Sequence, residues 1–308
     1  MNGAASQRGV ALVMALLVVA IGTMIAVNLM WQGTLDLRRT DAALAADQGL
    51  MYMQGAEAWA ADILRLDLVD SPDSDHLGEQ WAIELPPLPV DGGAIQGKLE
   101  DLQGRFNLNN LVSADGMENE LARQQFERLL LGVDVDPALA GAVVDWLDPD
   151  TEQRFPTGGE DVAYSDSDPP YRTANSAITS ASELMAVAGF DRDTYRLVAP
   201  YVTVLPSGTK LNVNTAPDVV LASLSDDIDI GTAGSLVEQR ADAEFVDIDE
   251  TFSGLVEADV LAEIDGVSEH FLLTATVTLG SNQLTMRSVL QRDRSGITRA
   301  VFRSLGVE

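Results

Sequence analysis

The chain has 308 residues, room for one large domain or two modest ones beyond any anchor. Lys and Arg number 19 and Asp and Glu 48, a formal net charge of −29. That excludes a general phosphate-binding surface, so nucleic acid is not an expected partner. There is no cysteine, which excludes a disulfide framework, a thiolate metal site and a cysteine nucleophile, and the only two histidines, His76 and His270, exclude a multi-histidine metal centre.

Residues 10–30 form an uncharged apolar run whose clearly polar members are Thr23 and Asn28. Twenty-one helical residues span roughly 30 Å, the thickness of a bilayer core. The run is longer than the apolar core of a cleaved secretory signal, and no small-x-small cleavage site follows it. A retained membrane helix is therefore expected. Arg8 precedes it and Arg38 and Arg39 follow it, so charge alone does not set its orientation. No proline occurs before Pro72, and 31–66 is rich in helix formers with a rough apolar stripe. The helix is expected to continue from Val10 to about Leu66.

Beyond an acidic loop at 67–80, Trp81–Val90 and Ala94–Leu108 read as two strands joined at Asp91-Gly92-Gly93. Helical spacing follows in Glu118–Leu131 and in Pro137–Leu147, with Asp136 before the proline. Thr179–Val187 opens with a capping-box pattern ending in Glu183, and Asp191–Ala199 is a further short helix. Thr215 is placed to cap a helix running from about Pro217 to Leu224. Ile230–Ala241 and Phe252–Ala262 read as helices too. Phe271–Leu279 and Gln283–Gln291 flank a hairpin signal at Gly280-Ser281-Asn282, and a last strand reaches Arg299–Phe302. The basic tail, Arg287, Arg292, Arg294, Arg299 and Arg303, reads as a solvated strand face offsetting nearby acids. His76 and His270 read as solvated or structural, and no catalytic signature accompanies them.

The densest constellation of chemistry is Asp145-Trp146-Leu147-Asp148-Pro149-Asp150-Thr151-Glu152, followed by Gly158-Gly159-Glu160-Asp161. Asp148, Asp150 and Glu152 alternate, as oxygen ligands do in calcium loops. Asp145 lies one helical turn before Asp148. The glycine pair allows a turn that returns Glu160 and Asp161 to the same place. Carboxylates without His or Cys favour calcium over zinc or copper. The spacing is not that of an EF-hand. Asp148, Asp150, Glu160 and Asp161 are the first choices as ligands, Asp145 and Glu152 the second. Asp166 and Asp168 are candidates for a second ion. A solvated acidic loop is the plainer explanation in so acidic a chain.

Two resemblances give these pieces a frame. Gln7-Arg8-Gly9 abutting the apolar run from Val10 resembles a class III signal, which prepilin peptidase cleaves after the glycine on the cytoplasmic side. That implies a mature chain starting at Val10, with the remainder outside the inner membrane. Pilins and pseudopilins mostly carry Glu at the fifth mature position; here it is Met14, which suits a subunit with no neighbour ahead of it. Together with Gly104–Leu111 (GRFNLNNL), the acidic stretch at 145–161 and Leu211–Pro217 (LNVNTAP), the chain resembles GspK, the family of large minor pseudopilins of type II secretion systems. The resemblance implies an α+β fold. A pilin-like long N-terminal helix packs on an antiparallel sheet, with a large, mainly helical domain inserted between strands. It divides the chain into a leader at 1–9, a transmembrane segment at 10–30, a helix continuation with the first strands at 31–108, an inserted helical domain at 109–210, and an αβ part at 211–308. It also implies a non-enzymatic tip subunit partnered by the minor pseudopilins GspI and GspJ with GspH below, and a structural Ca²⁺ in the helical domain. The alternatives are a minor pilin of a type IV pilus, a helix–hairpin–helix DNA-binding module at 211–241, disfavoured by Asp226, Asp227 and Asp229 in its connection, and a membrane-anchored calcium-dependent hydrolase.

Overall fold

The computed structural model describes residues 7–84, 86–155 and 157–306. Most of the expected leader, residues 1–6, lies outside them. Helix α1 runs unbroken from Gln7 to Asp70, 64 residues and about 96 Å. Its N-terminal part is long and apolar enough to cross a membrane, and none of that window is buried within the protein. Four residues more than expected are helical at the far end.

From residue 49 onward α1 packs on a sheet. Met53, Ala60 and Leu64 recur at helical spacing on one face and are buried, together with Trp81, Leu99, Phe271, Leu273, Val277 and Met286. The sheet is built from β1 (Leu88–Val90), β2 (Gly93–Asp101) and three strands from the far end of the chain: β7 (His270–Leu279), β8 (Asn282–Arg292) and β9 (Thr298–Leu305). Its order is β1-β2-β7-β8-β9, every neighbour antiparallel. Val90 pairs with Gly93, so Asp91-Gly92 is a two-residue turn, and Gly92 takes φ +87° as such turns require.

Between β2 and β7 the chain leaves the sheet and builds a helical lobe. In order come β3 (Phe106–Asn107), α2 (Glu120–Gly132), α3 (Ala140–Leu147), α4 (Asp161–Tyr164), α5 (Arg192–Val198), β4 (Val202–Thr203), β5 (Leu211–Asn212), α6 (Asp218–Ala222), α7 (Ile230–Asp242), α8 (Ile248–Phe252), α9 (Ala258–Glu263) and β6 (Ile264–Asp265). β3 pairs with β4 and β5 with β6, both parallel. One core joins Phe106, Phe126, Leu130 and Val143 to Leu221, Leu236, Phe252 and Ile264. The helices after residue 211, which the sequence reading assigns to the pilin-like part, thus share a core with those before it. A long helix, an antiparallel sheet and an inserted helical lobe are the expected α+β plan.

Several local expectations are corrected. The strand expected over Trp81–Val90 shrinks to β1, because prolines at 86 and 87 interrupt it and Trp81 sits in a 3-10 turn. There the Trp81 indole donates to Glu79 at 2.6 Å and meets Phe271 edge-on. The second strand stops at Asp101, whose carboxylate accepts from the Gln103 amide and turns the chain. Thr215 does not cap α6; its hydroxyl donates to Asp101 at 2.5 Å. The helix expected over Phe252–Ala262 is two short ones, α8 and α9. The capping box at Ser180 and Glu183 is present, on a 3-10 helix. Arg292 is not solvated: it is 2% exposed and ion-paired to Asp67 and Asp75. His270 is buried, its Nδ1 3.2 Å from Gln103 Oε1, and burial lowers its pKa.

Candidate metal centre

The centre is built on the end of α3. Asp145 and Asp148 are one turn apart, and both are buried. Asp148 N–H caps the helix by donating to Val144 O, after which Pro149 sends the chain into an open loop. Asp150 Oδ1 accepts the Glu152 amide at 2.7 Å, a turn that keeps the carboxylate near Asp148. The loop returns at Gly158-Gly159, where Gln153 Nε2 donates to Gly158 O at 2.7 Å. A Cβ on Gly158 would stand 2.5 Å from the Arg154 backbone and collide with the Asp145 carboxylate, so only glycine closes this loop. Glu160 follows and is buried beside Asp148.

Asp148, Asp150 and Glu160 each place a carboxylate oxygen within 4.8 Å of the others. Two of those residues keep a buried oxygen without a hydrogen-bond partner, Asp148 Oδ1 and Glu160 Oε1. Buried oxygens that accept nothing from the protein are costly unless a cation takes them. Asn175, held at φ 44°, donates to Asp150 O at 2.6 Å and keeps its own Oδ1 buried without a partner. The donor set is all oxygen, with neither His nor Cys, and fits a hard divalent cation of the calcium class.

The other expected ligands are placed differently. Asp145 faces Arg154, with its Oδ2 accepting the Arg154 amide at 3.0 Å and its Oδ1 3.2 Å from Nε. Asp161 turns to Thr173 and Arg172; the Thr173 hydroxyl reaches Asp161 Oδ1 and Glu160 Oε2, both at 3.1 Å. Glu152, Asp166 and Asp168 are exposed and outside the three-carboxylate group. Arg154 is a participant that sequence reasoning missed. Its guanidinium reaches Asp148 at 2.7 Å and Glu118 at 2.8 Å as well as Asp145. Burial raises the pKa values of Asp145, Asp148 and Glu160, and neighbouring Asp150 adds to it for each. The three clustered carboxylates have the chemistry to hold a cation that would pin the loop.

Two asparagine-rich segments tie distant parts of the lobe together. Asn109 donates to Ile178 O and Leu205 O and accepts from Ile178 N, joining chain segments about 70 and 96 residues apart. Asn214 does the same with Phe245, accepting its N–H at 2.8 Å and donating to its carbonyl at 3.0 Å. The GRFNLNNL and LNVNTAP markers are therefore structural amides that stand in for missing sheet partners.

The fold and the acid-lined lobe define a protein of the pilin-like kind, anchored by one apolar helix and carrying a large insertion. The chain belongs to the type II secretion system protein K family: residues 104–207 and 211–268 both match family models described as type II secretion system (T2SS), protein K. It is 35% identical to the type II secretion system protein K of Pseudomonas aeruginosa, over 97% of this chain and 93% of that one. The Klebsiella pneumoniae protein K is 32% identical over 93% of each. Among solved structures, the GspK-GspI-GspJ complex from the enterotoxigenic Escherichia coli type 2 secretion system matches with a TM-score of 0.73 and 26% identity, covering 88% of this chain and 100% of that one.

Proposed function

We propose that this chain is a non-enzymatic minor pseudopilin at the tip of a type II secretion pseudopilus. In this reading prepilin peptidase cleaves after Gly9 and leaves Val10 as the mature N-terminus. α1 then crosses the inner membrane once, with the sheet and lobe in the periplasm. The subunit joins GspI and GspJ, with GspH below, helps start assembly, and contributes to export of folded proteins without supplying energy itself. The Ca²⁺ is structural, held by Asp148, Asp150 and Glu160 and flanked by Asp145 and Arg154.

The observation that carries this reading is a seam on α1. Met30, Leu37, Leu44, Met51, Trp59 and Leu66 are all exposed. At 100° per residue they fall within roughly 80° of arc. Seven-residue spacing of apolar side chains is the pattern by which helices pair side by side. The seam starts inside the apolar span, so its partner is a helix rooted in the same bilayer and running parallel. Its Met51 and Trp59 border an apolar groove between α1 and the sheet, lined also by Ile83, Leu88 and Ile95. The absence of a carboxylate at Met14 adds to it, since an unpaired acid in lipid is costly and a leading subunit has no neighbour to pair it.

The test is co-expression of the full chain with its cognate GspI and GspJ and purification in detergent. A stoichiometric heterotrimer by light scattering supports the reading. A chain that purifies alone at every ratio overturns it.

A further inference from the structure

Where α1 ends, three buried carboxylates from two segments gather beside one guanidinium from a third. Asp67 is in the last turn of α1, Asp75 and Glu79 are on the loop that follows, and Arg292 closes β8. Asp67, Asp75 and Glu79 are buried, with oxygens all within 4.8 Å of one another. Arg292 donates from one nitrogen to both oxygens of Asp75 at 2.6 Å and to Ser268 O at 2.9 Å. Its other terminal nitrogen donates to Asp67 at 3.0 Å and Leu64 O at 2.9 Å, and the group lies 5.0 Å over the Phe271 ring.

Other charged or titratable groups around the cluster are accounted for. Asp101, at the end of β2, is satisfied separately by Thr215, Ser268, Asn212 and the Gln103 amide. His76 Nε2 lies 3.7 Å from Glu79 Oε1, and on α1 Arg65 pairs with exposed Asp62. Asp70, next on α1, is exposed, and buried His270 beside Phe271 bonds Gln103.

Three carboxylates this close cannot all ionise against one guanidinium away from water. Their partners say which one yields. Asp75 has both oxygens on Arg292 and accepts the Ser268 amide at 2.7 Å. Glu79 Oε2 accepts from the Trp81 indole and the His76 amide, two donors, while its Oε1 accepts none. Asp67 has a single guanidinium contact and faces Asp75. We propose that Asp67 stands as the neutral acid of this group, donating a hydrogen bond to Asp75, and that this one proton locks the end of α1 to the helical lobe. Asp75 is the piece that reaches the lobe: its N–H donates to Gly266 O at 2.8 Å, and its carbonyl accepts from Asn212 Nδ2 at 2.9 Å.

Burial first, and then the charges of Glu79 and Asp75, push Asp67 up to about 8, while burial pushes Asp101 only to about 6. An acid that keeps its proton when folded but has lost it when unfolded makes folding take up a proton. Stability then falls as pH rises from the ordinary carboxylate range to about 8, and levels off above it. Asp67→Asn makes the lock permanent, because its amide supplies the donor at every pH and its carbonyl still accepts from Arg292.

The experiment uses the full chain in detergent micelles, saturated with Ca²⁺ so that the acidic loop does not titrate in the same window. Infrared difference spectra from about pH 6 to about pH 10 follow the carbonyl stretch of protonated carboxyl groups. The expected result is a band that disappears with a midpoint near pH 8 in the parent protein and is missing in Asp67→Asn. Alongside it, the Tm should fall over the same range in the parent and stay flat in Asp67→Asn. A parent spectrum without such a band at neutral pH overturns the proposal and needs no variant. So does an unchanged band in Asp67→Asn, or a band abolished by Mg²⁺ or by further Ca²⁺, which would make the cluster a cation site instead.

Discussion

Asp148 Oδ1 and Glu160 Oε1 are buried and accept no hydrogen bond, and that pair of atoms decides the chemistry of the acidic loop. A cation bound only by the folded state stabilises it by about 2.7 kcal/mol at a hundredfold excess over Kd. Calcium should therefore raise the Tm, and chelator should lower it. Asp148→Asn combined with Glu160→Gln should abolish both shifts while the protein stays folded; a persisting shift in calorimetry would place the ion elsewhere. Both acids have raised pKa values when no cation is bound. Without calcium their contribution to stability is greatest at low pH, where both states are protonated, and declines as pH rises through their raised values. With calcium the trend reverses, because the ion competes with protons for the same oxygens. The gap in Tm between the two conditions should widen from acid to neutral pH. At the other buried charge, Arg292→Met removes the guanidinium bonds to Asp67, Asp75 and Ser268 O. Breaking such a pair costs about 3–5 kcal/mol, measurable as a lower denaturant midpoint at unchanged slope.

Among the elements, the two asparagine segments carry more of the architecture than any single helix of the lobe. Asn109→Ala removes two donors and an acceptor from buried backbone groups at Ile178 and Leu205. Leaving such groups unpaired costs about 1–3 kcal/mol each way they are counted, so urea unfolding should show a loss of at least that order. Elements with strong local signals were legible from residues alone: α1 from its unbroken helix formers, the β7–β8 hairpin from its turn signal at Gly280, and α2 and α3 from their helical spacing. The capping box was also legible, because both its residues lie within four positions. Elements set by distant partners were not. Thr215 had the right local position for a cap, and a buried carboxylate 114 residues away took its hydroxyl instead. Arg292 read as one of five solvated arginines, because nothing near it in sequence shows that Asp67 and Asp75 end up around it. In the candidate centre, Asp148, Asp150 and Glu160 were legible from alternation and the glycine return. Arg154 was not, because a cation inside an acidic loop has no spacing rule.

At the scale of the whole molecule, the seam on α1 sets what assembly requires. Leu44→Glu with Met51→Glu places two charges on an exposed face, so thermal stability of the isolated subunit should stay within about 0.5 kcal/mol of the parent. Association with the partner pseudopilins should fail, read as loss of co-purification; full retention would put the contact on another face. The sheet first buries α1 at Gly49, while the apolar span ends near Met30. Gln48 already reaches the turn at Asp91, which leaves about 17 residues, roughly 26 Å, of bare helix between bilayer and globular body. A helix without tertiary contacts is the segment of lowest local stability, since little beyond its own hydrogen bonds holds it. The body of a lone subunit thus stands off the membrane on a compliant stalk, free to sway and open to proteases. Flanked by neighbouring helices, the same stalk becomes a stiff strut, able to carry an axial load from the bilayer to the head.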